Sequence, residues 1–466
     1  MLNYFNSQKK DGQYLITNDM GFYKYLEPEV YDKLCHDQIK NNDSEYQDLV
    51  EKGFIIDTSV EEFVQRYSYF SRSMKAYCLS GTSLHIFAVT NMCNLDCIYC
   101  QAHSKSSHLD GKMTKETGKR AIDIAMSSKN NFLTFEFQGG EPLLNFETVK
   151  YMIEYSKLKN QSMHKQIEYT IVTNLTQLTD DILNYLLDNN VSICTSLDGD
   201  IETHNYNRPY RHLHSGSYDD VIAKIKYLKS KGLQIGVIQT TSKKSIPNAK
   251  KIIDQYLELE IHHIFLRPLT PLGMADDSWK DVGYTVEEYI QFYKDAFNYI
   301  LELNKKGIFF VETHATYFLC KILNNYSQNY MELRSPCGAG LGQMSYYYDG
   351  NVFTCDEGRM LHEMGDDSFL IGNVYDNNYM NMISSDICKT LCKASIIECL
   401  PKCNNCVYQP YCGTCPVVNY ASEHDLYSKN PKDFRCKSYS AIMDILFDII
   451  HRNDAEEMQI LYSWIS

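Results

Sequence analysis

Basic charge is what this sequence lacks first: 45 lysines and arginines stand against 59 aspartates and glutamates, a formal net charge of -14 over 466 residues. No long Lys/Arg block offsets the deficit, which argues against a nucleic-acid surface, since phosphate binding needs a basic face. An acidic polymer is an equally poor substrate. Long apolar runs are missing too. The longest late one, residues 441–450, carries Asp444 and Asp448 and falls far short of a membrane span. Residues 1–13 are polar and hold no stretch of the kind a signal peptide needs. The expectation is a cytoplasmic chain with no membrane partner, in a compartment where disulfides are rare.

What the chain has in excess is cysteine, 17 residues, together with 44% hydrophobic and 13% aromatic residues. A large core in about three domains is expected, with metal binding favoured over cross-linking. Cys93, Cys97 and Cys100 are spaced C-x3-C-x2-C directly after a short apolar run at 83–90. Three thiolates can hold three irons of a [4Fe-4S] cluster and leave the fourth iron open to a small molecule, whereas an electron-transfer cluster usually takes four cysteines. A zinc site with His103 or His108 as fourth ligand is the alternative reading.

Residues 1–78 read as a small α+β domain, with strands at 13–17 and 22–26, helices at 29–38 and 44–52, and a further strand at 54–57. From residue 83 the pattern changes. Six short apolar strands at 83–90, 132–138, 167–173, 191–197, 234–240 and 263–268 alternate with amphipathic helices, and a longer helix at 286–305 follows. That alternation predicts an α/β fold with a parallel sheet, here a partial (β/α)6 barrel over 79–310, then a bridging stretch 311–334. In such a barrel the reactive face lies at the carboxyl ends of the strands.

The motifs fall at those ends. The cysteine loop follows the first strand; Gln138, Gly139, Gly140, Glu141 and Pro142 end the second; Thr173 and Asn174 end the third; Ser196, Leu197, Asp198 and Gly199 end the fourth. Paired glycines admit a close approach, and Glu141 beside them is a carboxylate able to receive an ammonium group. Each piece alone has a plainer reading: a turn for Gly-Gly-Glu-Pro, a helix cap for Ser196 and Asp198, a surface charge for Arg208.

In combination these residues resemble the radical S-adenosylmethionine superfamily, over roughly 83–310, with Tyr99 as the aromatic residue before the third cysteine. The resemblance implies that S-adenosylmethionine chelates the open iron of the cluster held by Cys93, Cys97 and Cys100, and that one electron cleaves the sulfonium to give a 5′-deoxyadenosyl radical. Carried over by motif, Gly139, Gly140 and Glu141 would hold the amino group, and Ser196 and Arg208 the ribose or carboxylate. Asn174 and the strand carrying Leu266 would flank the nucleoside, with Tyr99, Gln138 and Asp198 in the same site.

A second cysteine field begins near residue 335. Cys337, Gly350 and Cys355 are followed by Cys403, Cys406, Cys412, Cys415 and Cys436. Loops this rich in thiols need cross-linking by metal, and zinc knuckles would serve. Over 335–440 the pattern is similar to the SPASM extension of peptide-modifying radical enzymes. That resemblance implies one auxiliary [4Fe-4S] cluster on Cys403, Cys406, Cys412 and Cys436, and a second on Cys337, Cys355 and Cys415, one ligand short. The run ends C-x2-C rather than the usual C-x3-C, and Gln343 stands where a further cysteine often lies. An open iron, a fourth ligand from Cys320, Cys388, Cys392 or Cys399, or no such cluster all follow. Asp356, next to Cys355, matches an aspartate that acts as a base in sulfatase-maturing relatives; a salt bridge to Arg359 is the plainer role.

Within the superfamily the chain resembles maturases of the His-Xaa-Ser system, which act on ribosomally made precursor peptides. The likeness lies in stretches 15–19, 136–146, 264–269 and 356–361. It implies a winged-helix-like N-terminal domain that captures peptide by strand addition, a cross-linked product and a flavodoxin or ferredoxin reductant; that family often lacks thiols at the positions of Cys337, Cys355 and Cys415, and with an open auxiliary iron a thioether is foremost. A sulfatase-maturing enzyme and a zinc-binding interaction scaffold are the rival readings. Residues 441–466 are expected as a C-terminal helix.

Overall fold

The computed structural model describes residues 1–102, 111–213, 215–427 and 433–466; His103 and His108 lie outside the described residues. Its centre is a sheet of nine strands. Six of them form the barrel's parallel run: β4 (Leu84–Ala88), β5 (Phe132–Gln138), β6 (Gln166–Val172), β7 (Val191–Ser196), β8 (Gly236–Thr240) and β10 (Leu266–Arg267), in the spatial order 4-5-6-7-8-10. Before them come β1 (Asn6–Lys10), β2 (Gln13–Thr17) and β3 (Tyr23–Leu26), a separate antiparallel sheet; β9 (His263–Ile264) pairs β11 (Val311–Glu312).

The curvature follows from where alternate side chains go. On β5, Leu133, Phe135 and Phe137 are buried against the surrounding helices, whereas Thr134, Glu136 and Gln138 face the other way. Ile86 of β4, Thr170 and Val172 of β6, Cys194 and Ser196 of β7, and Ile238 and Thr240 of β8 line the same cavity as those three. Five strands whose inner faces share one cavity form a partial barrel. Its outer wall packs Phe87, Phe137 and Ile171 on helical residues such as Ala121, Val149 and Met152, all fully buried. Each large apolar side chain removed from water there contributes about 1.5–3 kcal/mol.

Caps set the helix starts. Thr114, Thr179 and Asp200 accept from the backbone of the third residue on, and Thr285 with Glu288 forms a reciprocal capping box at Val286–Lys305, the bounds expected from sequence.

The sequence did not reveal how the cysteine-rich region joins the barrel. Strand β12 (Gln343–Tyr346) pairs with β4 in parallel, and β13 (Asn351–Phe353) and β14 (Leu370–Asn373) extend it antiparallel, so the barrel's first strand is an interior strand. The stretch 311–334 carries β11 and the helix Thr313–Leu323. In the N-terminal region the strand expected at 54–57 is only an isolated bridge from Leu2 to Ile55, while a helix at Val60–Lys75 was missed. Its signals were present: Ser59 caps Glu62, and Phe63, Tyr67 and Met74 recur at helical spacing. This region packs on the cysteine-rich one: the Thr17 hydroxyl donates to the Val407 carbonyl at 2.7 Å, and the Tyr411 hydroxyl to that of Gly21 at 3.0 Å.

Candidate active site

The loop bearing Cys93, Cys97 and Cys100 is moored on two sides. The amides of Asp96 and Ile98 donate to the carbonyls of Pro209 and Asn207 at 2.8 and 3.0 Å, and Asn94 reaches Thr176 at 2.7 Å. Burial pushes the Cys93 thiol well above its ordinary range, reinforced by Cys97 and Glu141; burial raises Cys97 to about 12 against the pull of Arg208. Thiols crowded and enclosed in this way ionise when a bound metal supplies positive charge.

The glycine pair serves the chain's own backbone. A Cβ on Gly139 would lie 2.1 Å from the Thr90 carbonyl oxygen, and one on Gly140 2.1 Å from that of Met92. The Gly140 and Glu141 amides donate to those same two carbonyls at 2.7 and 2.8 Å, so the end of β5 is clamped beneath the start of the cysteine loop. Glu141 is fully buried and accepts from the Leu143 amide at 3.0 Å, the Thr173 hydroxyl at 2.6 Å and the Asn174 amide at 2.8 Å. Burial raises it to about 7 against these donors. Its carboxylate therefore ties the second strand end to the third. Asn174 in turn donates to Asn94 at 3.0 Å and touches the Cys93 sulfur at 3.9 Å.

Asp198 has a similar part. It is fully buried and accepts from Tyr99, from Asn207 at 3.0 Å and from Arg208 at 3.1 and 3.3 Å. Burial alone would raise its carboxyl; Arg208, His204 and Tyr99 hold it below the usual carboxylate range. The guanidinium of Arg208 lies 5.4 Å from the Tyr99 ring centre. Leu266 is a core residue, its amide and carbonyl bonded to Glu312 and Tyr289, while its neighbours Phe265 and Arg267 line the cavity.

That cavity, about 720 Å³, brings Cys97, Cys100, Tyr99, Gln138, Ser196 and Arg208 together with Asp356, Glu357 and Met360 of the cysteine-rich region. Asp356 both lines it and pairs with Arg359 at 2.7 Å. Glu136, Arg267, Glu332 and Glu357 share the wall and were not among the residues expected there. Glu136 alternates with Phe135 and Phe137, and a charge at the inward parity of a barrel strand was the available signal.

The later cysteines stand in two groups. Cys403, Cys406, Cys412 and Cys436 line a cavity of about 210 Å³, the last from the first turn of the helix Phe434–Arg452. Cys337, Cys355 and Cys415 are buried in one cluster with Leu361, Phe369 and Val417. The Cys337–Cys415 hydrogen bond and burial raise Cys415; Cys355 caps the helix Asp356–Glu363, its sulfur accepting from the Gly358 amide at 3.4 Å. Of the spare cysteines, Cys320 accepts from Gln328 at 3.0 Å, Cys388 donates to the Met382 carbonyl at 3.4 Å, and Cys399 is exposed. No disulfide forms among the described residues, which include all 17 cysteines. Among the described residues no three His, Cys, Asp or Glu side chains are grouped so as to hold a single metal ion.

Comparison with known proteins agrees with this geometry. Residues 87–242 match the family model of the Radical SAM superfamily. An uncharacterized protein of Methanocaldococcus jannaschii is 29% identical over 41% of this chain and 65% of its own length, just under two thirds. A cysteine-type anaerobic sulfatase-maturating enzyme of Clostridium novyi is 23% identical over 72% of this chain and 87% of that protein, and the radical SAM cyclopropyl synthase TigE of Paramaledivibacter caminithermalis 25% over 67% of each. Among solved structures, native anSMEcpe with bound AdoMet superposes with a TM-score of 0.66 at 21% identity, covering 80% of this chain and 98% of that one. Streptococcus suis SuiB bound to precursor peptide SuiA gives 0.55 at 15%, covering 92% and 98%.

Proposed function

We propose that this radical SAM enzyme matures a ribosomally made precursor peptide, installing a side-chain cross-link, most simply a thioether from a peptide cysteine. The observation that carries the reading is the single cavity shared by the radical domain's rim and the cysteine-rich region, with Asp356 on its wall. The relatives support the coarser part, since SuiB is seen bound to a precursor peptide and two of the others are named as a sulfatase-maturating enzyme and a cyclopropyl synthase.

In this reading Cys93, Cys97 and Cys100 hold a [4Fe-4S] cluster, and Gln138, Ser196 and Arg208 contact S-adenosylmethionine. Gly139, Gly140, Glu141, Asn174, Tyr99 and Asp198 hold those groups in place, and Leu266 supports the strand beneath. When bound, the cofactors supply a carbon-centred radical that takes a hydrogen atom from the peptide, and the auxiliary clusters an acceptor for the electron left over. Joining a C–H carbon to an S–H sulfur also releases a proton from the thiol. Asp356, on the cavity wall and fixed by Arg359, is the base placed for it.

Cys403, Cys406, Cys412 and Cys436 make a complete ligand set. In this reading Cys337, Cys355 and Cys415 leave a position for the peptide thiolate; of the spare cysteines, Cys320 and Cys388 are hydrogen-bonded elsewhere and Cys399 is exposed. The N-terminal sheet β1–β3 with its helices is the proposed peptide-capture domain, the reductant a flavodoxin or ferredoxin, and the compartment the cytoplasm. No helix of the described residues is long and apolar enough to cross a membrane.

The test is anaerobic incubation of the reconstituted enzyme with cysteine-containing peptides, starting with any short reading frame found near its gene, read by mass spectrometry. A loss of two hydrogens with protection of one cysteine from alkylation is expected. Unchanged product after replacing Cys337, Cys355 and Cys415 by Ala would end the thiolate-binding idea. An aldehyde formed on a sulfatase peptide would favour formylglycine formation, the second reading, for which Asp356 also speaks.

A further inference from the structure

Several carboxylates around the main cavity are compensated; among the described residues Glu357 and, deep in the barrel, Glu136 have no ion pair. Glu332 pairs with Arg435 at 2.7 Å and lies 3.8 Å from Arg267; Asp356 pairs with Arg359; Asp198 pairs with Arg208. Glu136 has no hydrogen bond or ion pair among the described residues. It is enclosed by protein, and the surface it keeps opens into the cavity. Burial, with Asp356 adding, pushes it up to about 7, Arg267 opposing. An enclosed carboxylate without a partner is costly, and a cation brought to it recovers that cost.

Its surroundings say what kind of cation fits. Glu136 stands opposite Ile86 of β4 and Thr170 of β6, with Thr134 on its own strand and Val172 and Ile238 lining the same cavity. Such a wall suits an aliphatic stem ending in a charged head, since long cationic side chains bury their methylenes and need a partner only at the tip. A free metal ion or a bare ammonium would gain nothing from it. Glu136 also lies two residues before Gln138 on β5, about 7 Å inward of the strand end where the cofactor's proposed contacts lie.

Resting on the reading of this cavity as a peptide site, we propose that the substrate side chain entering the barrel is lysine or arginine, with Glu136 as its counter-ion. The charge is read from below by Glu136 while the peptide backbone stays at the rim, so one residue of the precursor is selected by charge and by reach together.

A selection of random peptides displayed on their mRNA, run anaerobically against the enzyme loaded with iron, sulfide and S-adenosylmethionine, tests this. Enriched sequences should share a lysine or arginine. Replacing it by norleucine should weaken binding, read by fluorescence anisotropy, by about tenfold or more against the native enzyme and hardly at all against Glu136→Gln. A second selection on Glu136→Lys should turn the preference to aspartate or glutamate, with S-adenosylmethionine affinity unchanged in both variants. Enrichment without a shared cation, or the same preference on Glu136→Gln, overturns the inference and leaves the peptide reading standing. A fall in S-adenosylmethionine affinity with no change in peptide preference assigns Glu136 to the cofactor and overturns it too. No enrichment of any peptide, with S-adenosylmethionine still bound, would sink the peptide reading and this inference with it.

Discussion

The Tyr99 hydroxyl donates to Asp198, so the residue before the third loop cysteine is fastened to the end of the fourth barrel strand. Because Asp198 also holds Arg208, its loss strands a buried guanidinium. Asp198→Asn should cost about 3–5 kcal/mol, against about 1 kcal/mol for Tyr99→Phe, in anaerobic urea unfolding of the cluster-loaded protein. Equal costs would show that Asp198 is not the hub.

The glycines predict a steric effect on iron binding. Ala at position 139 or 140 must displace the Thr90 to Met92 backbone, an overpacking of about 1–3 kcal/mol, and with it the start of the cysteine loop. Iron content should fall by one cluster's share, with the second cysteine field still loaded. Glycine replaced at Gly232, where a Cβ meets nothing within 4 Å, should leave iron content as it is.

Counting iron also sorts the later thiols. Cys436→Ala removes a ligand from a four-thiol set and should lower both iron and resistance to unfolding. Cys388→Ala, whose thiol is bonded to the Met382 carbonyl, should leave iron unchanged. A fall in iron with Cys388→Ala would make it the missing fourth ligand beside Cys337, Cys355 and Cys415.

Acid should destabilise the chain through its buried histidines. His314 is almost fully buried, neither ring nitrogen has a hydrogen-bond partner among the described residues, and burial lowers its pKa from 6.5 to about 4. The folded state thus excludes the charged ring: the stability is complete above pH 6.5 and is lost as pH falls toward 4, on the order of 3 kcal/mol. His85, lowered to about 3, acts in the same direction. His314→Leu should flatten the dependence of unfolding free energy on pH between 6.5 and 4.

The barrel was legible because its signals are local. Six apolar stretches, the first four closed by motifs, place Gln138, Asn174 and Ser196 at or just past strand ends. What each motif residue does was less so. Glu141 and Asp198 read as ligand contacts because a carboxylate in a loop is indistinguishable, in one dimension, from one saturated by Thr173 and Asn174 or by Tyr99 and Arg208. Glu136 was hidden for the opposite reason: it looked like part of a strand, and only the convergence of five inner faces shows that it stands in a cavity. Strand β1, with the polar sequence Asn-Ser-Gln-Lys-Lys, carries no apolar alternation and is formed by pairing with β2.

The pairing of β12 with β4 has a consequence for how this chain can be divided. A truncation ending near residue 310 would contain every strand of the barrel and every residue of the first cysteine loop, yet would strip β4 of a neighbour across four residue pairs. The open row of amides and carbonyls would recruit another chain, giving aggregates in place of a minimal enzyme. The same seam means that an insertion or deletion between the two cysteine fields is felt at β4, immediately before Cys93. The length of the chain between residues 310 and 343 is therefore part of the radical site's specification.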